Sequence, residues 1–106
     1  MSWTILIVAG LLEIGWAVGL KLSDGLSKPL PAVLTVIAVI ASMVLLGIAV
    51  RTLPLGTAYA VWTGIGAVGT VAAGMLMFGE AAGVARLACT GLILVGIVGL
   101  KLYSPD

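Results

Sequence analysis

Gly10-Leu11-Leu12-Glu13-Ile14-Gly15-Trp16-Ala17 lies at the centre of an apolar run from Trp3 to Leu20, and Glu13 is that run's only charge. As a helix the run is about 27 Å long at ~1.5 Å per residue, close to the ~30 Å hydrocarbon core of a bilayer. A carboxylate at mid-bilayer costs about 3 kcal/mol even on lenient insertion scales. A chain carries that cost when the group is paired, protonated or used. Every Lys and Arg lies at or near the end of an apolar run, so none stands at the right depth to pair with Glu13. Proton binding, cation binding, or both remain.

Three more runs follow outward from this one. Ala32–Val50 and Leu55–Phe78 contain no charge, and Val84–Tyr103 holds Arg86 and Lys101 only near its ends. Long stems there snorkel to the interface. The pattern predicts an all-α membrane protein with four transmembrane helices, over about 3–20, 32–50, 55–78 and 84–103, in a single domain spanning 1–106. Composition agrees: 62% of the 106 residues are hydrophobic and 8% charged, whereas soluble domains carry about a quarter charged. The first run is not a signal peptide, because it lacks a basic flank and holds Glu13 at its heart.

The same counts exclude several functions. A net charge of +1 offers no basic stripe for nucleic acid. The chain has no histidine, which removes imidazole relays and Ser–His chemistry. Its one cysteine, Cys89, cannot make an intrachain disulfide or a metal cluster and reads as a small apolar packing residue. No nucleophile–base pair can be built, so no enzyme, cofactor or metal is expected.

The connections are short. Lys21 to Pro31 is the longest, with Asp24-Gly25 as its turn signal and Pro29 and Pro31 opening helix two. Pro54 sits near the start of helix three, and Gly79 to Gly83 joins helices three and four. Arg51 and Lys101 fall on one side of the membrane, Lys21, Lys28 and Arg86 on the other. Two against three gives the positive-inside rule little to act on. Either one weakly determined orientation results, or both insert and an antiparallel homodimer becomes possible. Four short helices with one carboxylate are too few to enclose an aqueous path. A two-fold dimer, bringing two copies of Glu13 to one cavity, is the smallest closed solution.

At 100° per residue, Leu6, Ala9, Gly10, Glu13, Trp16, Ala17 and Leu20 share one face, with small residues leaving space beside the carboxylate. Gly15 and Gly19 form a close-packing G-x-x-x-G pair on the other. Helix three presents Tyr59, Trp62, Thr63, Gly66 and Thr70 together. Tyr59 and Trp62 read either as aromatic core filling or as donors to the site. Gly64 and Gly66 weaken this helix at mid-span and suit a bend; Gly69 and Gly74 are read as packing positions. On helix two, Ser42 either satisfies its own i−4 carbonyl or joins the carboxylate network. Any wall this helix contributes is aliphatic, with Met43 its largest side chain. Helix four, notched by Gly91, Gly96 and Gly99, is assigned to the dimer interface.

Two copies of Glu13 in one low-dielectric cavity titrate as a unit. Such a site holds protons when empty and releases them to an arriving cation, which is the core of proton/cation antiport. Trp16, one turn from Glu13, can donate its indole N–H to the carboxylate and narrows the site. A narrow site with fixed carboxylates suits guanidinium, which meets them in bidentate fashion. A quaternary ammonium ion donates nothing and prefers roomy aromatic walls.

Gly10-x-x-Glu13-x-x-Trp16-Ala17, Leu20-Lys21 and Pro54-x-Gly56-x-Ala58-Tyr59-Ala60-x-Trp62-x-Gly64-x-Gly66, with the four-helix length, resemble the small multidrug resistance family over essentially the whole chain. That resemblance implies antiparallel, dual-topology homodimers in a bacterial cell membrane that exchange cytoplasmic cations for protons by alternating access. Trp16-Ala17 is similar to the guanidinium-exporter subtype, where the multidrug subtype generally has Gly-Thr. By the resemblance Glu13 binds substrate and proton, and Trp16, Ser42, Tyr59 and Trp62 surround it. The alternatives are export of quaternary ammonium ions by the same mechanism, and a non-transporting membrane subunit whose Glu13 pairs with a partner's buried cation.

Overall fold

A computed structural model describes residues 1–103; the last three positions of the 1–106 domain expected from the sequence lie outside the described residues. Four helices are present: α1 (Ser2–Leu22), α2 (Pro29–Ala49), α3 (Leu55–Met77) and α4 (Val84–Leu102). Each is long and apolar enough to cross a membrane. The expected spans are reproduced to within three residues at either end. The largest shift is at the start of α2, where Pro29 and Pro31 both lie in the first turn. Proline is tolerated there because the first amides of a helix have no intrahelical acceptor.

The α1–α2 turn is built around Ser23, which is fully buried. Its hydroxyl donates to the Leu20 carbonyl at 3.2 Å and accepts from the Leu26 amide at 3.0 Å. Asp24, Gly25 and Leu26 all take positive φ, a left-handed run that the sequence marked only at Asp24-Gly25. The α3–α4 turn uses Gly79 at φ +66, and Arg86 closes it with a 3.0 Å ion pair to Glu80.

The helices form a slab rather than a closed bundle, 42 × 34 × 17 Å. α1 packs on both α2 and α3, and α4 packs on α3 without reaching α2. One end is well filled: Trp3, Leu6, Ala9, Leu46, Ala49, Leu53, Ala58, Val61 and Trp62 form the core. Towards the other end a groove of about 240 Å³ runs beside the α1–α2 contact and is lined in part by Gly15, Gly19, Leu34 and Thr35.

Glycines set the close approaches, and not always where the sequence placed them. Gly19 meets the Thr35 side chain, whereas Gly15 has open space beside it. The expected G-x-x-x-G contact is therefore made by one glycine only. Gly10, read as space beside the carboxylate, is instead filled by Ile65. α4 has no buried residue, and Gly91, Gly96 and Gly99 touch nothing within 4 Å of a built Cβ. Cys89 is exposed on this helix and does not pack within the subunit, although it lies one turn before Ile93 on the side turned to α3.

Candidate functional site

α1 and α3 run parallel and side by side, and their contacts advance together along the chain. Gly10 meets Ile65, Glu13 meets Gly66, and Ile14 meets Gly69. The Glu13 carboxyl occupies the space that a Cβ at Gly66 would take. Gly64 and Gly66, the positions expected to let α3 bend, both lie inside its continuous helix. Here their missing side chains admit neighbours: Glu13 at Gly66, and Ile93 and Ile97 of α4 at Gly64. Sequence reasoning put Gly66 on the right face; only the register of α1 against α3 shows its contact with the carboxyl.

One turn away lies a second layer. The Ser42 hydroxyl donates to the Ala9 carbonyl at 2.7 Å and accepts from Trp62 Nε1–H at 2.9 Å. Ser42 is fully buried and Trp62 nearly so. The acceptor is a carbonyl of α1, one turn before Glu13, and not the serine's own i−4 carbonyl. Ser42 therefore ties three helices together through one hydroxyl. Met43, beside it, faces outward and is exposed, so it walls no cavity within the subunit.

Ser42→Ala removes both bonds and leaves the Trp62 N–H buried without an acceptor, a loss of about 1–3 kcal/mol. Thermal unfolding in detergent should show that loss. In a double-mutant cycle the penalty should shrink when Trp62→Phe is already present.

Tyr59 lies tilted against Trp62, 5.6 Å between ring centroids, yet it is 56% exposed. It thus projects from the slab rather than into it. Trp16 departs most from expectation. Its Nε1 is buried without a hydrogen-bond partner among the described residues, as is Glu13 Oε1. The anticipated Trp16-to-Glu13 bond is not formed within one subunit, although one turn of α1 separates them. So Ser42 and Trp62 are joined directly, Glu13 lies one turn along from them, and Trp16 and Tyr59 are left with free valence.

No group of three metal-ligating side chains occurs among the described residues. The arrangement can therefore bind through one carboxyl, aromatic N–H groups and a hydroxyl. Four spans and a half-buried acid in the first of them, with one oxygen fully buried, define a multi-pass membrane protein. The chain belongs to the small multidrug resistance family: the model for "Small Multidrug Resistance protein" matches residues 1–103. It is 58% identical to a protein of Salmonella typhimurium over 98% of this chain and 99% of the relative. A protein of Yersinia pseudotuberculosis is 57% identical, over 98% of this chain and 100% of its own. One from Citrobacter freundii is 56% identical, over 98% and 99%. All three are named guanidinium exporter.

Proposed function

We propose that this protein is a proton-coupled antiporter exporting guanidinium and small substituted guanidinium ions across a bacterial inner membrane. The observation that carries the reading is the Glu13 carboxyl, lodged at Gly66 between two membrane-spanning helices with Oε1 unpartnered, in a chain whose relatives bear the guanidinium-exporter name. A half-buried carboxyl without a partner binds either a proton or a cation, and it cannot hold both at full strength. Guanidinium presents a planar fork of N–H donors that a carboxylate accepts in pairs.

The working unit is an antiparallel, dual-topology homodimer. A slab one to two helices thick exposes Tyr59 and leaves the Trp16 N–H without an acceptor, which suits a site completed by a second copy. The cations at the two ends, Arg51 and Lys101 against Lys21, Lys28 and Arg86, favour neither orientation strongly. The open glycine stripe of α4 supplies the pairing surface. Two Glu13 carboxyls, surrounded by Trp16, Ser42, Tyr59 and Trp62, then open alternately to each side, with α3 yielding at Gly64 and Gly66. Ser42 and Trp62 already hold each other, so they enter this step as a fixed wall.

Sealed proteoliposomes test it. An imposed guanidinium gradient should drive protons the opposite way, with net charge movement if two protons exchange for one cation. Tetraalkylammonium should drive none. Guanidinium affinity should fall as pH falls, by about tenfold per unit for each proton displaced. Proton movement with tetraalkylammonium alone would replace guanidinium by quaternary ammonium as the substrate. Movement with neither would remove the transporter reading.

A further inference from the structure

A second feature lies away from Glu13. α1, α3 and α4 enclose a groove of about 370 Å³. Its floor is Val61 and Ile65 of α3, and its walls are Ile7 of α1 and Ile97 and Val98 of α4. At one end Lys101, in the last turn of α4, reaches across to α1 and sets its ammonium 4.8 Å from the centre of the Trp3 ring. Trp3 is 8% exposed, and its Nε1 is buried with no acceptor among the described residues.

We propose that this groove holds one acyl chain of an anionic glycerophospholipid, whose headgroup phosphate sits on Lys101. Three features select that occupant. The lining between the ends is aliphatic, which suits a hydrocarbon tail and no polar ligand. Trp3 and Lys101 are at helix ends, the depth at which indole and ammonium groups meet headgroups. A single cation also stands at the mouth of an otherwise aliphatic channel, where Lys101 spans from α4 to the Trp3 ring, and that pairing of charge and hydrocarbon is the one an anionic phospholipid presents. When Lys101 lifts from the Trp3 ring onto a phosphate, it uncovers an indole whose N–H lacks an acceptor. The stripe of α4 open to a second copy, Gly91, Val95 and Gly99, is turned about 80° or more round the helix from Lys101 and about 120° or more from Ile97, and Val98 borders it.

The test is native mass spectrometry of the full chain in neutral detergent, titrated with phosphatidylglycerol or phosphatidylcholine of identical acyl chains. Wild type should retain phosphatidylglycerol about five-fold better, the effect of one cationic contact. Lys101→Gln should bring the two lipids to parity, and Arg51→Gln, a cation at the same end, should leave the preference intact. Val98→Trp, which fills the groove, should weaken retention of both. If that variant does not fold, the exposed Lys101 substitution decides alone. Equal retention by wild type, or a preference surviving in Lys101→Gln, overturns the proposal. So does equal loss in Arg51→Gln, which would mean diffuse charge attraction. Displacement by inorganic phosphate would reveal an anion site without a tail. A Val98→Trp effect on oligomeric state with lipid retention unchanged would assign the groove to a second copy.

Discussion

Gly66→Ala should abolish most guanidinium transport while leaving the fold standing. A Cβ at Gly66 would collide with the Glu13 carboxyl, and that carboxyl is the far end of a flexible side chain. It can swing aside cheaply, so the helices need not move. Alanine also favours the helix by about 1 kcal/mol over glycine, which offsets part of any overpacking loss of about 1–3 kcal/mol. Unfolding in detergent should thus change little. Transport should fall tenfold or more, because the carboxyl no longer occupies its place on α3; a small misplacement of a positioned group is enough for this. Gly69→Ala is the matched control. A Cβ there meets Ile14, again the end of a flexible side chain, but no carboxyl is displaced. If Gly69→Ala loses as much transport as Gly66→Ala, helix spacing is responsible and the specific contact with Glu13 is not.

This contrast also shows where the sequence was legible. Four apolar runs with charges only at their ends are a one-dimensional signal, and α1 to α4 follow them closely. Glu13 stood out for the same reason: a single charge in a bilayer-length run is visible without any tertiary structure. Partners across helices are another matter. The chain offers fifteen glycines, and nothing in their spacing says that Gly66 receives the carboxyl while Gly10 receives Ile65. Those pairings depend on the vertical register of α1 against α3, which is fixed by packing over the whole contact. Ser42 is similar. A lone hydroxyl in an apolar helix has several carbonyls within reach, and only the depth of α2 beside α1 selects Ala9. Trp16 was placed beside Glu13 by helical spacing alone, and spacing does not fix a rotamer. The rotamer it takes leaves Nε1 buried and unpartnered.

Glu13→Gln should show the largest effect: no guanidinium-driven proton movement in sealed proteoliposomes, with guanidinium binding weakened by two to three orders of magnitude. Removing one partner of a desolvated charge pair costs about 3–5 kcal/mol, because the cation must then be stripped of water without a counter-charge. The substitution is otherwise gentle. Gln has nearly the shape of Glu, so it should fit the space at Gly66, and as a neutral group it lowers the cost of insertion. Stability should accordingly hold or rise, which separates loss of function from loss of fold. Glu13→Asp supplies the complementary result. It keeps the charge but withdraws the carboxyl by one methylene from Gly66, so coupling should persist with affinity reduced about tenfold. A Gln variant that still exchanged guanidinium for protons would place the proton on another group. Glu13 is the one carboxyl within the four spans, so that outcome would require proton movement through Tyr59, Cys89 or groups at the helix ends. An Asp variant that transports guanidinium without moving protons would instead separate the two ligands, and the shared-site mechanism would give way to two sites.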